Sequence, residues 1–136
     1  MVKADRAALA RAFDDTDQAT HYLLDRTTGK VLSVSLHDKA GLADIQKKLT
    51  QDKGRYLQVP KPNARANFEE LERFINQMKD PHFQSVCKRA LTSHRPFREF
   101  RDALSTKPKE KREWESFHRA NLERKVDEYL RSVRMQ

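Results

Sequence analysis

Arg95, Arg98 and Arg101 recur at three-residue steps, and Arg112 and Arg119 follow seven positions apart. A guanidinium is a planar fork of N–H donors that grips a phosphate or carboxylate through two of them at once. Lys88 and Arg89 precede the first three arginines, and Lys111 flanks the later pair. Together they would hold an anionic partner, RNA or DNA included, without reading bases. The plainer reading of the same residues is a solvated helix exterior, because Glu99, Asp102, Glu115 and Glu123 are interleaved with them.

Other reactive side chains do not assemble into a catalytic pattern. The five histidines are His21, His37, His82, His94 and His118. No two stand at a helical ligand spacing with a carboxylate and a third donor, so no metal site is expected. His21, beside Tyr22, is a candidate base, although a solvent-facing or sheet-edge histidine fits the position better. No serine or cysteine lies in a nucleophile context. Cys87 falls inside an apolar stripe and reads as a small buried residue, not a reactive thiol. The run Asp14-Asp15-Thr16-Asp17 lacks the glycine and terminal glutamate of a calcium loop and reads as a solvated turn. Thr28-Gly29-Lys30 lacks the first glycine and the closing Ser/Thr of a nucleotide loop. Glu69 with Glu72 and Glu110 with Glu113 read as ordinary ion-pair partners on helix surfaces. No enzyme activity and no cofactor are expected.

The chain of 136 residues has a formal net charge of +8. Residues 1–80 hold fourteen Lys and Arg against twelve Asp and Glu, a balance of +2. Residues 81–136 hold fourteen against eight, a balance of +6. The excess therefore sits in the C-terminal part, where it would attract an acidic protein, a nucleotide or a nucleic acid. One cysteine permits no internal disulfide and fits a reducing compartment. The charged N-terminus does not read as a secretory signal, and no apolar run is long enough to cross a bilayer. A cytoplasmic protein is expected.

The elements that must position these groups follow from periodicity. Residues 3–13 form a short helix with Leu9 and Phe13 on its apolar side. Thr20–Asp25 and Lys30–Leu36 alternate as strands about the turn Arg26-Thr27-Thr28-Gly29. Asp38 caps a helix carrying Leu42, Ile45 and Leu49, and Arg55–Pro60 is a third strand. Asn67 with Glu70 reads as a capping box opening a helix with Phe68, Leu71, Phe74, Ile75 and Met78 on one stripe. Asp80-Pro81 opens the next, with Phe83, Val86, Cys87, Ala90 and Leu91 inward. Pro96 opens a third helix, and Pro108 a fourth of about 40 Å, long enough to run past the domain and offer a free face.

These residues predict one α+β domain over 1–136: a small antiparallel sheet of about three strands, then a helical C-terminal half with a long final helix. The sheet is expected to pack on the helices carrying Phe68, Phe74 and Phe83. Phe97 and Phe100 are expected to lock onto Trp114 and Phe117. All four rings are assigned to the core, and bases could stack only on exposed rings.

Read in order, certain clusters carry a resemblance. They are Tyr22-Leu23-Leu24-Asp25, Thr28-Gly29-Lys30-Val31, Arg55-Tyr56-Leu57-Gln58-Val59-Pro60, Phe74-Ile75, Pro96-Phe97-Arg98-Glu99-Phe100, Trp114-Glu115-Ser116-Phe117 and Glu128-Tyr129-Leu130. Their order and spacing over Thr20 to Arg134 resemble the bacterial uncharacterised protein family numbered zero-one-five-eight. Lys30 departs from that pattern, where an acidic residue is common, and the segment from Asn63 to Phe68 lacks the usual tyrosine. The resemblance implies a cytoplasmic bacterial α+β protein without an established activity, and hence no site to carry over. The function expected is that of a non-enzymatic binding or regulatory module. Its basic helices would take an acidic protein or a small anionic ligand such as a nucleotide; the alternative is binding RNA or DNA without sequence preference.

Overall fold

Alternating apolar residues and a glycine turn produce the hairpin at the centre of the first half. Strand β1 (Thr20–Asp25) pairs antiparallel with β2 (Val31–Ser35), with Tyr22 opposite Ser33 and Leu24 opposite Val31. Gly29 closes the turn at φ +78°, and a Cβ there would lie 2.1 Å from the Lys3 carbonyl oxygen. Only glycine tolerates both the left-handed backbone and that approach. β3 (Tyr56–Gln58) pairs with the other side of β1, giving the order β2-β1-β3. The structure, a computed structural model, describes residues 2–136.

Helix α1 (Arg6–Asp14) precedes the sheet and α2 (Lys39–Gln51) joins β2 to β3. Asp5 and Asp38 cap them, accepting from the backbone N–H of Ala8 and Gly41. The helical part comprises α3 (Ala64–Asn76), α4 (Pro81–Leu91), α5 (Pro96–Ser105) and α6 (Pro108–Ser132). Asp80 caps α4 from just before Pro81, as its sequence predicts. The α3 boundary differs. Asn63, not Asn67, is the cap, accepting from the N–H groups of Arg65 and Ala66. Its position immediately after Pro62 explains the earlier start, because proline disfavours helix in what precedes it and leaves Asn63 free to begin one.

The chain divides into two compact units, Met1–Pro62 with Leu122–Gln136, and Asn63–Asn121. In the first, Leu24 and Val59 of the sheet region pack with Leu9, Ala12 and Phe13 of α1 and with Leu122, Val126 and Leu130 of α6. Phe13 meets Tyr129 edge-on, ring centres 5.6 Å apart. Phe74 and Phe83, expected to back the sheet, belong instead to the core cluster of the second unit. The last turns of α6 do not run past the domain: Val126 and Leu130 are buried in the sheet's own core, while Asp127, Glu128 and Arg131 on the other side stay exposed. The chain ends meet there, with the Ala4 N–H donating to the Gln136 carbonyl at 2.7 Å.

In the second unit the core is Leu71, Phe74, Ile75, Phe83, Cys87, Phe100 and Leu104, with Trp114 and Phe117 half-buried against it. Phe100 meets Trp114 at 5.2 Å and Phe74 at 6.3 Å, both edge-on. Phe97 is not in this core. It is 37% exposed and touches the half-buried Phe68 edge-on at 6.5 Å.

Candidate anion-binding surface

Helical geometry sets where the five arginines of interest project. Each residue advances about 100° around a helix axis. On α5, Phe100 and Leu104 point inward, and Phe97 lies at one margin of that buried side. Arg101 follows Phe97 by about 40° and Arg98 by about 100°. Arg95 stands at the cap position just before Pro96. Glu99 and Asp102 line a crevice of about 380 Å³ with Arg89, Ala90 and Ser93 of the α4 side. Asp102 follows Arg98 by one turn, about 40° around the axis, so acidic and basic residues alternate on the outer side of α5.

Arg112 and Arg119 share one stripe on α6, nearly opposite Trp114 and Phe117. Because Trp114 is the residue that meets Phe100 of α5, these two arginines face away from that junction. The array is thus two basic stripes, with Arg95, Arg98 and Arg101 on one and Arg112 and Arg119 on the other.

All five arginines are exposed. Among the described residues none of them joins a salt bridge or a side-chain hydrogen bond, whereas Arg6, Arg55 and Arg65 pair with Asp127, Asp25 and Glu69.

Two polar clusters escaped the sequence reading. In the second unit Glu70, 2% exposed, accepts from His118 Nδ1 at 2.8 Å and from the Asn121 side chain. His118 stacks on Trp114, ring centres 5.3 Å apart. A carboxylate at 70 and an imidazole at 118 are too far apart in sequence for any local pattern to join them.

In the first unit Asp25, 5% exposed, receives two parallel bonds from Arg55: Nε to Oδ1 at 3.0 Å and Nη2 to Oδ2 at 3.1 Å. The Thr27 N–H adds a third at 2.9 Å. The Arg55 fork, with the turn donors, holds the Asp25 carboxyl down at about 2, from 3.8 for a free aspartate. A lowered folded pKa stabilises above the unfolded value and loses that contribution as pH falls through the folded one. The shift is worth about 2 kcal/mol at neutral pH. Asp25→Asn is expected to be destabilised by about that amount near neutrality, with the gap to wild type closing between about pH 4 and pH 2. Urea midpoints across that range measure it.

The remaining candidates have structural partners. At the acidic turn, Asp15 and Asp17 accept from backbone N–H groups and from the hydroxyls of Tyr22 and Thr20. The cation at that turn is Lys61, whose ammonium donates to the carbonyls of Asp15, Asp17 and Thr20 at 3.2, 2.8 and 2.7 Å. His21 is half-buried on the central strand, not at an edge, 3.4 Å from the Gln58 amide. Cys87 is fully buried, and burial, with Glu110 nearby, pushes its thiol up to about 11. The neutral thiol is a poor nucleophile.

A model of the family described as Uncharacterised protein family (UPF0158) matches residues 2–136. The chain belongs to that family. It is similar to the UPF0158 protein PA5073 of Pseudomonas aeruginosa, 26% identical over 108 residues, which cover 79% of this chain and 69% of that protein. No solved structure matches. The UPF0158 resemblance rested partly on Asp25, Gly29 and Arg55, and these three converge: Arg55 grips Asp25, whose carbonyl accepts from the Gly29 N–H at 2.8 Å. In this UPF0158 member they anchor the hairpin to the third strand. No helix among the described residues is long and apolar enough to cross a membrane.

Proposed function

We propose that this protein is a non-enzymatic, cytoplasmic binding or regulatory module whose arginine stripes take an anionic partner, an acidic protein or a small ligand such as a nucleotide. The observation that carries this is that Arg95, Arg98, Arg101, Arg112 and Arg119 are exposed and, among the described residues, join no salt bridge or side-chain hydrogen bond. An exposed arginine paired on its own helix must break that pair before it binds, whereas an unpaired one need not.

A second reading, binding of RNA or DNA without sequence preference, is favoured by the exposure of Phe97 beside this charge. Titrations with polyglutamate, ATP and labelled RNA at two salt concentrations test both. Binding of at least one probe is expected, weakening steeply as salt rises. The Arg98→Glu/Arg101→Glu double variant is expected to weaken it at least about tenfold, at about one unit of salt slope per lost phosphate contact, with little change in stability. Failure of all three probes at low salt, or binding indifferent to the double variant, would overturn the proposal.

A further inference from the structure

We infer that Phe97 is a base-stacking platform and that the α5 stripe accommodates single-stranded nucleic acid; this rests on the second reading above and names its ligand and contact. Phe74, Phe83 and Phe100 are buried, Trp114 and Phe117 are half-buried, and only Phe97 keeps more than a third of its surface in water. Its position is not loose, because Phe68 holds the ring edge-on, 86° between planes. An exposed aromatic ring in a fixed orientation is what a base needs for stacking.

The charge around it completes the site. Arg101, four residues on, is Phe97's neighbour on the same side of α5, and Arg98 lies beyond it. Both guanidiniums are exposed, and among the described residues neither joins a salt bridge or a side-chain hydrogen bond. A nucleotide step places a flat base several ångströms from its phosphate, matching an aromatic ring with an arginine one helical turn away. Bases in a duplex are stacked on one another and closed to the ring, so the arrangement selects a single strand. An acidic peptide would satisfy the arginines but would leave the ring without a function.

The test compares an RNA oligomer of about twelve nucleotides, single-stranded or annealed to its complement, with inorganic polyphosphate, which offers charge and no base. Binding is followed by anisotropy for the labelled RNA and by competition for polyphosphate. Phe97→Ala is expected to weaken single-stranded RNA binding at least about fivefold, with the salt slope and the polyphosphate affinity unchanged. Phe97→Tyr should restore it, and wild type should prefer the single strand over the duplex. If Arg98→Glu/Arg101→Glu abolishes RNA binding while Phe97→Ala does not change it, stacking is overturned and the arginine reading stands. An equal loss for RNA and polyphosphate in Phe97→Ala also overturns it, because the ring would then act only through the fold. If wild type binds neither probe at low salt, this inference and the nucleic-acid reading fail together.

Discussion

Phe100→Ala is expected to lower the unfolding free energy of the second unit by about 3–5 kcal/mol. The ring is 1% exposed and sits between Phe74 and Trp114. Deleting it removes its transfer free energy and leaves a cavity that the flanking rings can only partly fill. Trp114 is the single tryptophan, so its emission reports this cluster alone. Urea titration followed by that emission should show the midpoint falling sharply for Phe100→Ala. Phe97→Ala, three residues earlier, should cost less, about 1–2 kcal/mol, because over a third of that residue is already in water. Equal losses at the two positions would mean that the inward side of α5 is misassigned.

Replacing Glu70 is expected to cost nearly as much. Glu70→Ala strips His118 Nδ1 and the Asn121 amide of a buried carboxylate that each engages through a charge-assisted bond. Breaking such a pair from one side costs about 3 kcal/mol, since the groups left behind do not regain full hydration. Glu70→Gln keeps the volume and one acceptor oxygen but sets an amide N–H₂ against a donor, so a loss of about 1–2 kcal/mol is expected. The same Trp114 emission measures both, because His118 stacks directly on that indole. A Glu70→Ala protein as stable as wild type would show that the trio contributes no net stability.

These two expectations differ in how far residue pattern alone could reach them. Phe100 belongs to a helical stripe with Leu104, and that periodicity marks it as inward before any coordinates are known. Glu70 is hidden by a local likeness. An asparagine three residues before a glutamate has the form of a capping box, yet inside a helix the same spacing carries no such meaning. Once Asn63 takes the cap, Glu70 falls on the inward side of α3, next to Leu71 and Phe74. What receives it there comes from α6, 48 residues away for His118 and 51 for Asn121.

Phe97 shows the limit within one helix. Its spacing to Phe100 and Leu104 matches the apolar stripe, but a stripe has margins, and which margin meets a neighbour depends on how the next helix crosses. Here Trp114 covers Phe100, while the ring that reaches Phe97 is only Phe68. The difference between a core ring and a platform is therefore a matter of tertiary placement.

Residue pattern was enough for the β1–β2 hairpin closed by Gly29, the caps Asp38 and Asp80, and the helices opened by Pro81, Pro96 and Pro108. Those features depend on bonds and torsions spanning a few residues. Only the packed chain shows that the end of α6 completes the sheet's core, that Arg55 reaches back thirty residues to Asp25, and that Glu70 meets His118 and Asn121. Each of these rests on groups distant in the chain, and the physical reason is the same throughout: burial and ion pairing reward proximity in space, which local periodicity does not encode.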